Sequence, residues 1–430
     1  MPPSQWCPRR LDELGFVGRG KSRHRPRNDT RLYGGRYPFI QTAEIIAADP
    51  YITTYSQTYS DYGMQQSKMW PANTLCIAIA GANTAKTAIL KFDACFPDSV
   101  VGFIPDSGKS DLHFIKYSLD YMRHQFLAVS RGATQDNQSL EKLLSIPILV
   151  PEIDEQRRIA GILSAYDELI DNSWRRIRIL EAMARALYRE WFVHFRFPGH
   201  ESVPRVPSPL GEIPQGWWVK KLESLMTGHM GGGWGKEEPD DDHTEPAWVI
   251  RGTDIPDARS SQVARVPRRF HSPLNLRSRR LATGDILFEV SGGGKGQPVG
   301  RTLLVTPHLM SCFRGDVICA TFCKRIRPDA LNYGAELLYL SLLEGYASGE
   351  IEQFQVQSTG IFNVKWNAYI AKTERVVPPE PLRSNFREQV VPLFAEVATL
   401  GLRIQNLRRT RDLLLPRLIS GQIHVEAINP

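Results

Sequence analysis

Two stretches of the chain place apolar side chains at alternating steps of four and three residues. The first runs through Ile159, Leu163, Tyr166, Ile170, Ser173, Ile177, Leu180, Ala184, Leu187 and Trp191. The second runs through Phe386, Val390, Leu393, Val397, Leu400, Ile404, Leu407, Arg411, Leu414 and Leu418, a constant offset of 227 from the first. This spacing is the a/d rule of a helix that buries one narrow seam against another helix. The two segments are about 45 residues each, far beyond the globular average of about 11–12, so two matched seams in one chain most simply pack on each other. Pro151 and Pro379 stand where a first helical turn tolerates proline, and Gly421 is placed to end the second helix. Pro392 lies inside the second seam. It predicts either a bend or a helix that begins near it, and Pro416 is expected to loosen the last turn.

The rest of the chain also repeats. Trp6, Leu11 and Leu14 match Trp217, Leu222 and Leu225 at offset 211. Residues 37–45 (YPFIQTAEI) resemble residues 247–255 (AWVIRGTDI) at offset 210. Residues 70–90 resemble residues 281–304, beginning at offset 211. Cys95-Phe96 pairs with Cys312-Phe313, Asn137 with Asn363 and Pro151 with Pro378. Collinear order over the whole length argues for two diverged copies of one unit, the second with about 16 extra residues. Short β-rich runs at 74–79, 286–290 and 299–305 and helical stretches at 112–127 and 335–348 make each copy α/β. The expected organisation is a first α/β domain at 1–150, a long helix at 151–196 and a linker at 197–216. A second α/β domain at 217–377, a second long helix at 378–423 and a short tail at 424–430 follow. The linker holds Pro198, Pro204, Pro207, Pro209 and Pro214 and reads as extended and semi-rigid. The fold class is thus α/β, with two pseudo-repeated domains separated by two long helices in an antiparallel coiled coil.

Composition narrows the function. In 430 residues, 42% are hydrophobic and 23% charged, which excludes global disorder. No apolar run reaches the roughly 20 residues that span a bilayer, and the first residues do not have the pattern of a secretory signal. A soluble cytoplasmic protein is expected. Six cysteines without a CxxC pair give no disulfide framework or zinc knuckle, and Cys312, Cys319 and Cys323, with His308 nearby, read as buried reduced thiols.

Motifs of catalysis are missing. Asn-Pro occurs only at Asn429-Pro430, so the Asn-Pro-Pro-aromatic motif of base methylation is absent. The glycine run 291–296 is no P-loop, because Gly296 follows Lys295 and Glu289 stands where a P-loop has glycine. Asp285 and Glu289 have the spacing of a nuclease carboxylate pair, but Ser291 replaces the lysine expected after them. The acidic run 237–242 reads as a solvated loop. No catalytic residue and no metal ligand is assigned.

The net charge of +7 permits nucleic-acid binding without requiring it, so the distribution of charge matters more. Residues 19–36 hold Arg19, Lys21, Arg23, Arg25, Arg27, Arg31 and Arg36 against Asp29 alone. Residues 251–280 hold eight arginines, among them Arg251, Arg268 and Arg269, against Asp254 and Asp257. Arginine suits bidentate contacts to phosphate and to guanine edges. The first seam helix, by contrast, carries eight basic and eight acidic residues over 152–196. Glycine loops recur at 81–86 and 292–296, where tight strand-to-strand turns are expected and Lys86 and Lys295 are candidate phosphate contacts. Gln41 joins Arg19, Lys21, Arg23, Arg25, Arg27, Arg251, Arg268 and Arg269 as a candidate DNA-binding residue.

Three segments carry a family resemblance. Residues 155–199 (EQRRIAGILSAYDELIDNSWRRIRILEAMARALYREWFVHFRFPG) resemble the central conserved helix of type I restriction–modification specificity subunits. Residues 406–423 (NLRRTRDLLLPRLISGQI) resemble the distal conserved helix, and residues 211–222 (GEIPQGWWVKKL) the lead-in to the second target-recognition domain. The resemblance implies a non-catalytic subunit that binds double-stranded DNA and reads an asymmetric bipartite target, one domain per half-site. It implies two methylation subunits that bind S-adenosylmethionine, and motor–nuclease restriction subunits that use ATP and Mg. No cofactor in this chain and no membrane partner are implied. The residues alone lead only to a two-headed, basic, coiled-coil protein, and a non-enzymatic interaction scaffold with incidental basic loops stays open.

Overall fold

The computed structural model describes residues 6–79, 85–131, 140–293, 298–358 and 360–425. Lys295, Asn137, Asn429 and Pro430, and most of both glycine loops, lie outside them. The chain divides into two compact units, Met1–Asp171 with Leu407–Pro430, and Asn172–Asn406.

Each unit repeats one strand plan. In the first, a sheet runs in the order Gly15–Arg19, Val100–Pro105, Leu75–Ala78, Thr87–Leu90, Tyr51–Ile52. In the second, the order is Met226–Gly231, Cys323–Pro328, Ile286–Glu289, Thr302–Leu304. A further sheet in the first unit sets Tyr33–Phe39 between Gln57–Tyr59 and Ala94–Cys95. Its counterpart sets Glu245–Ile250 between Arg268–His271 and Asp316–Cys319. In both, the pairing with the later strand (Phe39 with Cys95, Ala247 with Asp316) is parallel. A two-stranded pair, Cys7–Arg9 with Ile148–Val150, recurs as Trp218–Lys221 with Glu374–Val377. The strands flanking each glycine loop pair antiparallel, Leu75 with Ile89 and Ile286 with Leu304. The sequence matches are core positions: Trp6 and Trp217, Leu11 and Leu222, and Leu14 and Leu225 are all buried. Among the described residues, only the second unit has the small sheet of Ser291–Gly292, Ile361–Val364 and Gln355–Ser358.

The central helix is Ile153–Tyr188, extended by a π-helical turn at Arg189–Val193, and the distal helix is Glu380–Ile419. All twenty seam positions are buried or half-buried. In the first unit Ile159 and Leu163 share a core with Leu414 and Leu418. In the second, Arg176 pairs with Glu396 at 2.7 Å and Trp191 packs on Phe386 at 5.5 Å between ring centres. As the central-helix number rises, the partner number falls, so the helices pack antiparallel.

Pro392 does not start the distal helix, which begins twelve residues earlier at Glu380. Pro392 and Glu388 are both exposed, so the carbonyl deprived of its donor lies on the solvent side. Gly421 takes φ +69°, and the Ile423 amide closes on the Arg417 carbonyl at 3.1 Å. The proline-rich segment is not a free linker. Arg205–Ser208 and Gly211–Pro214 form a hairpin, and Phe197, Ile213 and Trp217 are buried in the second unit's core. Pro207 and Pro214 are tolerated because a two-stranded ribbon is all edge, while the aromatic residues flanking it supply the anchor.

The one charged seam residue, Arg411, is explained by its partners. Its guanidinium meets the buried Asp167 carboxylate at 2.5 Å, and the Tyr117 hydroxyl donates to the same carboxylate at 2.5 Å. Burial and that carboxylate push the Tyr117 phenol well above its ordinary value. Arg411→Leu should therefore destabilise the first unit by about 3–5 kcal/mol, since it strands a buried charge. Adding Asp167→Leu should recover part of the loss. Denaturant unfolding of the three proteins checks this, and equal losses in the single and double variants would contradict it.

Gly401 gives a second test. A β-carbon there would collide with the Ser260 carbonyl oxygen, and the Gly401 carbonyl accepts from the Gln262 side chain at 2.9 Å. Glycine to alanine inside a helix usually gains up to about 1 kcal/mol. Here Gly401→Ala should lose about 1–3 kcal/mol by overpacking, readable as a lower melting temperature.

Candidate nucleic-acid interface

The duplication aligns the loops that follow Gly15–Arg19 in the first unit and Met226–Gly231 in the second. In the first unit the Gly20 amide donates to the Val100 carbonyl (2.9 Å) and the Lys21 amide to the Phe96 carbonyl (2.9 Å). In the second the Gly232 amide donates to the Cys323 carbonyl (3.0 Å) and the Gly233 amide to the Cys319 carbonyl (2.9 Å). Gly20 and Gly232 fill the same niche, since a β-carbon on either would strike neighbouring carbonyl oxygens. The basic loop that begins at Arg19 therefore corresponds to residues 231–236, not to residues 251–280. Gln41 and Arg251 correspond to each other: the Gln41 amide donates to Glu44 and the Arg251 amide to Asp254, each at 2.9 Å.

The basic clusters separate into engaged and unengaged side chains. Arg25 donates to the Ser22 carbonyl (2.8 Å), Arg27 pairs with Asp98 (2.9 Å), and Arg31 with Asp29 (2.7 Å). Arg31 holds the Asp29 carboxyl far below its usual range, chiefly by hydrogen bonding, with help from His24. Arg36 reaches Tyr37 at 2.9 Å. Arg19 and Arg23 are exposed and Lys21 is half-buried, and among the described residues none of their side-chain nitrogens has a partner. In the second unit Arg251 forks onto Asp254 (2.9 and 2.8 Å), Arg259 donates to the Thr302 carbonyl (3.0 Å), and Arg280 pairs with Asp316 (2.6 Å). Arg265, Arg268 and Arg277 are exposed and without side-chain partners among the described residues. Arg269 is held between Glu237 (2.5 Å) and the Trp234 ring (4.6 Å). Lys86 lies on the wall of a polar cavity of about 430 Å³ with Lys116, Asp120 and Arg123. Arg279 contacts Asn275 at 2.7 Å.

Sequence reasoning missed Trp234. It is 39% exposed in Gly231-Gly232-Gly233-Trp234-Gly235, and only that run of glycines around an aromatic residue could have drawn attention to it.

The carboxylates with nuclease spacing have structural partners. Asp285 is bound by Arg327 at 2.8 and 2.9 Å, and Glu289 by Arg301 at 2.8 and 2.5 Å, both carboxylates being buried. Cys319 and Cys323 are free and buried in an apolar cluster, and burial pushes the Cys319 thiol up to about 12. Cys312 is half-buried and free. Among the described residues no group of three or more His, Cys, Asp or Glu is placed to hold a metal ion. No described helix is long and apolar enough to cross a membrane.

Residues 3–182 match the family model described as the type I restriction modification DNA specificity domain. The chain is 23% identical to the type I restriction enzyme MjaIX specificity subunit of Methanocaldococcus jannaschii, over 99% of this chain and 95% of that one. It is 21% identical to the type I restriction enzyme HindI specificity subunit of Haemophilus influenzae, over 70% of this chain and 74% of that one. The crystal structure of the type I restriction–modification S subunit from M. genitalium aligns with a TM-score of 0.52 at 15% identity, covering 96% of each chain, which shows a shared fold. With its duplicated α/β plan and antiparallel seam helices, the chain is similar over nearly its whole length to type I restriction–modification specificity subunits, and its residues 3–182 match their DNA specificity domain.

Proposed function

We propose that each unit of this chain reads one half of an asymmetric, bipartite double-stranded DNA target. The observation that carries this is the repeated strand plan, which sets a glycine-anchored loop at the same place in both units. Arg19, Lys21 and Arg23 serve as phosphate contacts for the first half-site, and Arg265, Arg268 and Arg277 for the second, because they are the cations of the two clusters that the fold leaves unengaged. Arg25, Arg27 and Arg251 then shape the loops rather than touch DNA. Lys86 and Lys295 are further phosphate contacts. The chain also scaffolds two methylation subunits, which bring S-adenosylmethionine, and motor–nuclease subunits, which bring ATP and Mg. It works in the cytoplasm and holds no cofactor of its own. A scaffold with incidental basic loops would not require the anchored loop position to recur.

The purified chain alone should neither cut nor methylate DNA, and methyl transfer should begin only with the methylation partner and S-adenosylmethionine. In that complex, each phosphate contact removed by an Arg19→Gln, Lys21→Gln or Arg23→Gln change should flatten the dependence of log affinity on log salt by about 0.9. Arg27→Gln and Arg31→Gln should leave the slope near wild type. Titrations of a labelled target duplex across a salt series decide the matter. A slope that ignores the first three changes and responds to the last two would overturn the assignment.

A further inference from the structure

We propose that Trp234 is a base-contacting, specificity-determining residue of the second unit. This rests on the reading that each unit addresses one half-site. The loop is fixed rather than loose: its backbone is tied at Gly232 and Gly233 to the carbonyls of Cys323 and Cys319. Gly235 takes φ +71° over His271, where a β-carbon would strike the imidazole ring. The tryptophan between these fixed points stands 39% exposed.

The ring is also held from one side. The Arg269 guanidinium lies 4.6 Å from its centre, and Glu237 pins that guanidinium at 2.5 Å. Arg269 itself is largely covered, at 14% side-chain exposure, so it acts as a support for the indole and not as a free phosphate ligand. Beneath the loop, burial lowers the His271 imidazole from its ordinary value, with His243 and Arg279 adding repulsion. Holding an aromatic ring in place before binding removes the entropy cost of ordering it.

Charge and position complete the case. The exposed, unengaged Arg268 precedes Arg269 on the same strand. The structurally corresponding loop of the first unit carries Arg19, Lys21 and Arg23, also unengaged. An indole offers one N–H donor and an apolar face. In a DNA groove these suit an acceptor on a base edge and a thymine methyl group. The second unit thus sets an aromatic reader at the loop position where the first sets cations, so its half-site should depend strongly on one or two base pairs.

The test uses the full chain assembled with its methylation partner. The methylated motif is first mapped by sequencing genomic DNA from cells that express the wild-type complex. Affinities are then measured for wild type, Trp234→Ala and Trp234→Phe on the mapped target and on duplexes with each base pair changed in turn. Trp234→Ala should bind the target roughly 10- to 100-fold more weakly. The penalty for changing one or two adjacent base pairs in one half-site should vanish in that variant, with all other penalties retained. Trp234→Phe, which keeps the apolar face, should restore part of the penalty at a thymine. Should Trp234→Ala show wild-type penalties at every base pair, Trp234 does not read bases, whatever happens to overall affinity. Penalties lost in both half-sites would also overturn the proposal. A wild-type motif without two separate halves would instead overturn the underlying reading of one unit per half-site.

Discussion

Two long helices with apolar stripes cannot stand apart in water, and the rest of this molecule is arranged around that constraint. The central helix begins in the first unit and ends in the second, and the distal helix does the reverse. Each unit therefore closes its core with two helical segments distant in sequence, Ile159 and Leu163 with Leu418 in one, Trp191 with Phe386 in the other. A stripe of leucines and isoleucines alone tolerates sliding by a heptad. The buried Asp167–Arg411 pair does not, because any slip would leave a charge without its partner. Gly401 adds a steric lock where the distal helix meets the Ser260 carbonyl.

Much of this frame could be read from the sequence, since a heptad stripe is a long-range periodic signal. The duplication could be read as well, because tryptophan and leucine anchors such as Trp6 and Trp217 survive divergence in cores. Strand order could not. It depends on pairings between residues as far apart as Phe16 and Ile104, and runs of three to six residues carry no record of their neighbours. The proline-rich segment was legible in part: its composition announces the extended backbone of the hairpin, but the anchor at Phe197 and Trp217 is tertiary.

The candidate interface was legible only in outline. Clustered arginines mark a basic loop, yet sequence does not distinguish an arginine that forks onto Asp254 from one that points into solvent. Arg251 and Arg268 look equivalent in the chain and differ in the fold. Trp234 escaped because a lone aromatic residue among glycines has no periodicity. Only the backbone bonds at Gly232 and Gly233 reveal it as a fixed feature.

The central claim is that the two copies of one fold act as independent readers. Replacing residues 217–377 with the corresponding segment of a relative whose target is known, and mapping the methylated sequence made by the chimera with its partner, tests it directly. The account predicts a hybrid motif in which one half changes to the donor's half-site and the other half stays as in the parent. A motif changed in both halves, or unchanged in both, would contradict it.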